Sequence, residues 1–288
     1  MKKLFSILVL CVVTACFFSA CGKNESSGFG GEITVVSRED GSGTRDAFTE
    51  LLEITDEDGN DITYEGAEIT NSTSVMLATV SGNKRAIGYV SMGSVSDDVK
   101  ILSVDNVSAD TKNVKNGSYK VSRPFNICYI DGNQTDIAKD FESFVMSMQG
   151  QKIIEDEGYI PVDTDKSYEG KNLSGKLSLA GSTSVAPIME IICDEYKKLN
   201  SGVTVEIQQS GSSAGISSAI EGVCDFAMSS RDLKESEKES LKQITIATDG
   251  IAVIVNKENP IENISSEDIK AIFSGEITDW SELEKVTE

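Results

Sequence analysis

Histidine is absent from the 288-residue sequence, which also has only one tryptophan and four prolines. The absence of histidine excludes Ser–His triads, Cys–His dyads and histidine-ligated metal sites. Positive charge is scarce too, because 26 lysines and arginines face 47 aspartates and glutamates, for a formal net charge of −21. A field of that sign disfavours nucleic acids and anionic lipid surfaces as partners. Any anion must therefore be bound by a few local donors.

The cysteines do not indicate disulfide bonds or a metal site. Six cysteines occur, and three of them fall within the first 21 residues. The other three, Cys128, Cys193 and Cys224, are odd in number and lack CxxC spacing, which argues against a disulfide framework and a zinc site. We expect these three to be small apolar side chains in the interior. The sequence thus predicts no metal and no cofactor.

The N-terminal 20 residues have the pattern of a signal peptide, with two lysines followed by an almost wholly apolar run. Phe18-Ser19-Ala20-Cys21 ends this run and resembles the lipobox of bacterial lipoproteins, although phenylalanine stands where leucine is usual. The resemblance implies that residues 1–20 are removed, that Cys21 is lipidated and that residues 21–31 are a flexible tether. Val13-Thr14-Ala15-Cys16 is a weaker lipobox candidate, and an uncleaved membrane anchor is a further alternative.

Beyond the tether, strand-like apolar runs alternate with segments of helical periodicity. This alternation predicts an α/β fold with ligands at the carboxyl ends of the strands. The first unit has a β-branched run at 33–36, a tight turn at 37–45 and a helical pattern at 47–54. Turns of the same kind, rich in small hydroxyls, recur at Gly181–Val185, Ser210–Ile216 and Met228–Arg231.

These turns favour the binding of an oxyanion. A helix N-terminus presents backbone N–H groups to an anion, and Arg38 in the first turn adds a fork of donors that matches an oxyanion. Each turn alone is equally typical of an ordinary helix cap. Together they supply the many hydrogen bonds that a dehydrated tetrahedral oxyanion accepts. The Walker A pattern is absent, so a nucleotide site is not expected.

The same motifs closely resemble those of the substrate-binding lipoproteins of ATP-driven bacterial phosphate importers, in the form seen in Gram-positive bacteria. They are Ser37–Thr44, Gly181–Pro187, Gly211–Gly215 and Asp225–Arg231. The resemblance implies a two-lobed, periplasmic-binding-protein-like fold of type II, with mixed sheets flanked by helices and the ligand in the inter-lobe cleft. It implies eight ligand residues: Arg38, Ser42, Gly43, Thr44, Thr183, Ser184, Ser212 and Ser230.

The resemblance also implies a function and a location. The protein is expected to bind inorganic phosphate tightly outside the cell, close about a hinge and deliver the anion to the membrane subunits of an importer. We expect a lipid-anchored monomer on the extracellular face of the membrane, and no enzyme, because the acids near the turns form no ordered catalytic set. Two alternatives are a binding protein for another tetrahedral oxyanion such as sulfate, and an adhesion or sensor lipoprotein.

The order of the motifs departs from the family, in which the Gly-Ser-Thr-Ser motif usually comes first. Here the segment at 158–162, which resembles the family's C-terminal end, leads through a polar linker at 163–175 into the family's first strand. A circular permutation accounts for this order. A truncated tandem duplication and a misjoined gene are the alternatives. One lobe is then expected from 32–108 with 249–288, and the other from 109–248.

Ser230 is a second departure, because many relatives carry an aspartate there. An aspartate would accept the proton of hydrogen phosphate and repel sulfate, whereas a serine can donate or accept. Asp40 is the nearest alternative acceptor, although it can equally pair with Arg38. The sequence thus predicts phosphate binding and leaves selectivity against sulfate open.

Overall fold

The computed structural model describes residues 29–285, so the predicted signal peptide, the lipidation site Cys21 and most of the tether lie outside the described residues. The α-helices are α1 Gly43–Leu51, α2 Thr73–Gly82, α3 Thr111–Lys115, α4 Asp136–Val145, α5 Met148–Asp156, α6 Ala186–Leu199, α7 Ser212–Ile220, α8 Glu235–Lys238 and α9 Ser266–Ser274. The β-strands are β1 Thr34–Arg38, β2 Glu68–Thr70, β3 Ala86–Ser91, β4 Val99–Ile101, β5 Ser103–Val104, β6 Ser122–Tyr129, β7 Ile160–Pro161, β8 Ser174–Gly181, β9 Gly202–Gln209, β10 Phe226–Ser229, β11 Lys242–Asn256 and β12 Asn263–Ile264. Within residues 29–285, no helix has the length and apolar character needed to cross a membrane.

Ten of the strands form one mixed sheet in the order β2-β1-β3-β11-β6-β10-β8-β9, with β4 and β7 paired to β11. β1 is parallel to β2 and β3, and β8 is parallel to β9 and β10. β11 is antiparallel to β3 and β6. The α/β class predicted from the sequence is confirmed.

Hydrophobic cores lie along this sheet, and the two largest of them mark the two lobes of the molecule. The core of the first lobe combines residues 33–121 with residues 251–283. Neighbouring residues of β1 point to opposite faces of the sheet, so Val35 packs in this core while Val36 packs against α2 on the other face. The core of the second lobe lies within residues 125–247.

β6 and β11 connect the two lobes. Their antiparallel register runs from Tyr129 opposite Lys242 in the second lobe to Ser122 opposite Gly250 at the border of the first. The chain therefore crosses between the lobes twice, along two strands that are hydrogen-bonded to each other. We call this pair of crossings, near residues 122–124 and 248–250, the hinge.

The expected start of the second lobe at residue 109 does not match the packing. Val114, Tyr119 and Val121 belong to the core of the first lobe, and the Tyr119 hydroxyl donates to the Ile251 carbonyl at 2.8 Å. α3 has only five residues, so its sequence pattern is too short to show which lobe it packs against. By its core contacts, the second lobe begins near residue 125.

The predicted linker at 163–175 is fastened to the second lobe. It contains no helix, and no strand before β8, yet Tyr168 is buried. The Tyr168 hydroxyl donates to Asp140 Oδ2 at 2.6 Å and accepts from Asn200 Nδ2 at 2.8 Å. Lys171 Nζ lies 2.8 Å from Asp140 Oδ1. These bonds hold the segment against α4 and the end of α6.

Candidate functional site

The predicted ligand residues lie where strands end and helices begin. Arg38 ends β1, and Ser42 caps α1, its Oγ accepting from the backbone N–H of Arg45 at 3.4 Å. In the second lobe, β8, β9 and β10 end at the turns that hold the other predicted residues. The first N–H groups of a helix have no acceptor inside the helix. This end of the sheet therefore concentrates hydrogen-bond donors.

Side chains of the two lobes meet directly at these turns. Arg38 Nη2 donates to Thr183 Oγ1 at 3.2 Å, and Thr44 Oγ1 lies 3.0 Å from Ser184 Oγ. All eight residues that we predicted as ligands are buried. The structure brings the motifs into one cluster with the lobes closed upon each other; the role of the eight residues as ligands stays a prediction.

Gly43 lets the first lobe approach the second closely. A Cβ atom at this position would lie 2.4 Å from Ser212 Oγ and 2.9 Å from Ser230 Oγ. Any other residue would push these hydroxyls away, so the glycine is required by proximity. As the first residue of α1, Gly43 also has a backbone N–H with no acceptor inside the helix.

Three serines of the second lobe form a hydrogen-bonded group. Ser182 Oγ accepts from the N–H groups of Ser184 at 3.2 Å and Val185 at 3.4 Å, and donates to Ser230 Oγ at 3.0 Å. Ser212 Oγ accepts from the N–H of Ser230 at 3.2 Å and lies 3.3 Å from its Oγ. Because a hydroxyl can turn its proton, Ser212 and Ser230 can each donate to an anion.

Arg38 is the cation of the cluster, and its charge is already paired. Its Nε and Nη2 donate to the two carboxylate oxygens of Glu39, each at 2.8 Å. Asp40, the acceptor that the sequence suggested, instead pairs with Arg45 at 2.8 Å and has a side chain that is 96% exposed. Asp40 therefore does not pair with Arg38, and Glu39 is the carboxylate that does.

Tyr89 of β3 supports the backbone at Arg38 through hydrogen bonds. Its hydroxyl accepts from the N–H of Arg38 at 3.3 Å and lies 2.9 Å from Ser37 Oγ. Its ring stacks on Phe48 of α1, with ring centroids 3.9 Å apart. Burial raises the pKa of Tyr89 to about 12, so the hydroxyl stays neutral. Tyr89 thus positions the backbone that carries Arg38.

Thr73 is a member of the cluster that the sequence reasoning did not include. It is the first residue of α2 and is 6% exposed. Its Oγ1 lies 3.2 Å from Thr183 Oγ1 and 3.4 Å from Ser184 Oγ. The sequence does indicate this position, because Ser72-Thr73-Ser74 is a run of hydroxyl residues between a strand and a helix, as are the turns that we predicted to bind an oxyanion.

Further contacts join the lobes beside the cluster. The Ser213 N–H donates to the Gly41 carbonyl at 3.0 Å. Arg231 is bidentate to Glu237 at 2.8 and 2.9 Å, and its Nε lies 2.9 Å from Asp46 Oδ2 on α1. A cavity of about 750 Å³ opens beside these residues, but none of the eight predicted ligand residues lines it. This cavity is therefore separate from the cluster.

Among residues 29–285, no group of three or more histidines, cysteines or carboxylates is placed to hold a metal ion. Cys128, Cys193 and Cys224 are unpaired. Burial raises the pKa of the first two thiols to about 12 and that of Cys224 to about 11. These cysteines are therefore protonated at neutral pH and unreactive.

Comparison with known proteins gives matches over most of the chain. Residues 22–149 and 166–287 match the model of the PBP superfamily domain. The phosphate-binding protein PstS 2 of Streptococcus agalactiae is 48% identical, over 93% of each chain. PstS 2 of Streptococcus pneumoniae is 44% identical, over 92% of this chain and 91% of that one. The crystal structure of a phosphate-binding protein of a phosphate ABC transporter from Streptococcus pneumoniae aligns at 44% identity with a TM-score of 0.70, over 88% of this chain and 99% of that one.

The two streptococcal relatives also share the order of the motifs, since each match runs along more than nine-tenths of both chains. PstS of Staphylococcus aureus, in contrast, is 35% identical over only 39% of this chain. The inverted order is therefore common to a group of proteins. This argues against a gene misjoined in this chain alone.

Proposed function

Because the chain belongs to the PBP superfamily and, within it, to the phosphate-binding proteins of bacterial ABC transporters, we propose that it binds inorganic phosphate outside the cell and delivers it to an ATP-driven importer. The membrane subunits of that importer are its protein partners in this proposal. Its role is binding rather than catalysis, because the cluster consists of hydroxyls and one paired arginine, with no activated nucleophile.

The observation that carries the proposal is the meeting of donors from both lobes. Arg38 Nη2 reaches Thr183 Oγ1 at 3.2 Å, and Thr44 Oγ1 lies 3.0 Å from Ser184 Oγ. All of these residues are nine-tenths or more buried. Buried hydroxyls that converge in this way suit an anion that has shed its water, because each oxygen of phosphate accepts several hydrogen bonds.

We assign the ligand role to the eight predicted residues and add Thr73 to them. Neutral dipoles supply most of the donors: hydroxyls, and the N–H groups at the starts of α1 and α6. Dipoles of this kind stabilise an anion without concentrating cations, which suits a chain of net charge −21. The distant acids are screened within about 8–10 Å at physiological salt.

Closure about the hinge is the mechanism that we propose. Arg38, Ser42, Gly43, Thr44 and Thr73 lie on the first lobe, and the other ligand residues lie on the second. An anion that bridges both sets binds the closed form more tightly and shifts the population toward it. The closed form then docks on the importer.

For location, we propose the extracellular face of the cell membrane, with a lipid on Cys21 and residues 21–31 as the tether. The location is proposed because the relatives are named phosphate-binding proteins, and one of them is the binding protein of a phosphate ABC transporter. A monomer fits the proposal, since one chain supplies both sides of the cluster. Mass spectrometry of the protein purified from membranes, before and after lipase treatment, tests the anchor.

Calorimetry with inorganic phosphate tests the function, and Arg38→Ala tests the site. We expect the wild type to bind one phosphate. Arg38→Ala should lose about 2–4 kcal/mol of binding free energy, a roughly 30- to 900-fold weaker affinity, because a buried charge-assisted donor is removed.

Arg85→Ala is the control for the loss of one positive charge, because Arg85 is exposed and lies outside the cluster. We expect its affinity to stay within about twofold of the wild type, as is usual for distant surface charges. A wild type that binds no tetrahedral oxyanion would contradict the proposal and favour the adhesion or sensor alternative.

A further inference from the structure

Arg231 holds together the second-lobe turns that carry Ser212 and Ser230. It directly follows Ser230 and is 6% exposed. Its Nη1 and Nη2 donate to the two carboxylate oxygens of Glu237 at 2.8 and 2.9 Å, and Nη2 also donates to Ser213 Oγ at 3.1 Å. The guanidinium is therefore fixed within the second lobe by a charge partner of its own.

The remaining nitrogen of this guanidinium faces the first lobe. Arg231 Nε lies 2.9 Å from Oδ2 of Asp46, whose side chain is 30% exposed. Asp46 lies in the first turn of α1, two residues after Thr44. Asp46 and Arg231 thus form an ion pair between the lobes, and each of them is close in sequence to a predicted ligand residue. We call it the inter-lobe ion pair.

The inter-lobe ion pair lies on the side of the cluster that faces the cavity of about 750 Å³. Asp46 and Arg231 line this cavity, as do residues 122–124 of the hinge, whereas Thr44 and Ser230 do not. The pair therefore borders the anion cluster without belonging to the ligand set. Any effect of the pair on anion binding must act through the position of the lobes or through its charge.

Opening of the lobes would separate Asp46 from Arg231 and leave Arg231 paired with Glu237. The arginine is therefore compensated in both forms, whereas Asp46 meets this cation only in the closed form. Burial raises the pKa of Asp46, and the charges of Arg231 and Lys234 in the second lobe oppose that shift. The attraction across the border thus offsets part of the cost of burying the carboxylate, and loss of the cation would leave that cost uncompensated.

We propose that the inter-lobe ion pair is a latch on the closed form, which slows the release of the bound anion. The latch depends on the sign of the charge at residue 46, because a negative charge there attracts Arg231 and a positive charge repels it. The inference rests on the proposed function, and it adds a control of the lifetime of the closed form to the same site.

A reversal of charge at position 46 tests the latch. Asp46→Lys places a like charge beside Arg231, so phosphate should bind about tenfold or more weaker than to Asp46→Asn, chiefly through faster release. A general electrostatic effect has the opposite sign, since an added positive charge near an anion site strengthens binding. Calorimetry measures the affinity, and a chase of radiolabelled phosphate with unlabelled phosphate measures the release rate.

Asp40→Asn and Asp40→Lys are the matched controls. Asp40 lies in the turn before α1, its side chain is 96% exposed, and it pairs with Arg45 of its own lobe. The lysine variant changes the net charge by the same amount, and its affinity should equal that of Asp40→Asn within about twofold or exceed it. Weaker binding to Asp46→Lys alone therefore identifies repulsion across the border between the lobes.

The outcomes separate this inference from the proposed function. Equal affinities and release rates for Asp46→Lys and Asp46→Asn overturn the latch and leave the function intact. A wild type that binds no tetrahedral oxyanion contradicts the function and, with it, the latch. Should Asp46→Lys fail to fold, Arg231→Gln with and without Asp46→Asn decides. The second substitution should then strengthen binding, because it removes a carboxylate left unpaired at the border, and an unchanged affinity would overturn the latch.

Discussion

Single hydroxyl groups replace positive charge at the proposed anion site. The nine assigned residues include one arginine, and its charge is shared with Glu39. Seven of the others carry a hydroxyl, and Gly43 contributes its backbone. Hydroxyls lose less hydration than cations when they are buried, and they can be made to point at the anion by helix caps and neighbouring side chains. The position of each hydroxyl therefore matters more than its number.

Substitution of Thr73 tests whether the position of a single hydroxyl matters for anion binding. Thr73→Val keeps the β-branched shape and removes the hydroxyl that lies 3.2 Å from Thr183 Oγ1. We expect a roughly fivefold to fifteenfold weaker phosphate affinity, as is typical for the loss of about 1–1.5 kcal/mol from one neutral hydrogen bond. Titration calorimetry is the measurement.

Thr49→Val is the matched control for that substitution. Thr49 is also a buried threonine of the first lobe, but its hydroxyl donates to the carbonyls of Arg45 and Asp46 inside α1. Its loss should change thermal stability without changing phosphate affinity. Equal affinities for Thr73→Val and the wild type would remove Thr73 from the ligand set.

Individual elements depart from their sequence patterns where packing intervenes. Apolar residues recur at helical spacing over residues 137–154, which predicts one helix. The structure instead has two, α4 and α5, because Ser147 caps a new helix and its Oγ accepts from the Gly150 N–H at 3.2 Å. A Cβ at Gly150 would lie 2.3 Å from the Phe144 carbonyl oxygen, so the two helices meet at a tight corner. The apolar runs at 244–247 and 251–255 each have the sequence pattern of a separate strand. In the structure they form one continuous strand, β11, because it runs through both lobes.

The linking segment at 163–175 is the element that the inverted order makes necessary. Burial acts to raise the pKa of Asp140, but hydrogen bonds from Lys171, Tyr168 and Tyr196 outweigh it and lower that pKa. A depressed pKa means that the ionised carboxylate stabilises the fold above the unfolded pKa of about 4, and that this stability is lost as the pH falls through the folded pKa. The segment is therefore held by a charged anchor.

Tyr168→Phe tests the anchoring of this segment. The substitution removes the bond to Asp140 at 2.6 Å and leaves Asn200 Nδ2 without that acceptor. We expect the free energy of unfolding in urea to fall by about 1–2 kcal/mol, with unchanged phosphate affinity. Tyr64→Phe, at a tyrosine that is 38% exposed, should change neither. An unchanged unfolding free energy in Tyr168→Phe would show that the segment contributes nothing to stability.

In the whole molecule, the hinge carries a buried ion pair. Arg123 of β6 faces Asp249 of β11 in the strand register, with Nη2 to Oδ2 at 3.3 Å. Burial raises the pKa of Asp249 to about 6, although Arg123 and a hydrogen bond from Ser91 oppose the shift. Because the folded pKa lies above the unfolded one, the stability linked to this group is present at low pH and is lost as the pH rises through about 6.

The pH dependence of unfolding in Asp249→Asn tests the buried ion pair at the hinge. In the wild type this group should lower the free energy of unfolding as the pH rises from about 4 to about 6, and the asparagine variant should lack that part of the slope. Denaturant unfolding across this range is the measurement. Asp131→Asn, at an aspartate whose side chain is 62% exposed, should keep the wild-type slope. Parallel slopes for Asp249→Asn and the wild type would contradict the shifted pKa.

The sequence by itself determined the alternation of strands and helices and the turns that bear the anion donors. These signals are local: a β-branched run, a glycine–hydroxyl turn and an amphipathic helix follow one another within about fifteen residues. The resemblance of four such turns to a known family then predicted the function that the comparisons support. Thr73 could have been predicted on the same grounds, since its signal is equally local.

Only the tertiary structure determined which charged side chains pair at these turns and which lobe each segment packs against. Asp40 and Glu39 are adjacent in the sequence, yet only Glu39 meets Arg38, because Arg45 draws Asp40 to the surface. Residues 111–121, which include α3, and the linking segment lack a pattern of their own, and each is placed by buried contacts with residues far along the chain. Such choices depend on the free energy of burying and pairing distant groups, which no local pattern encodes.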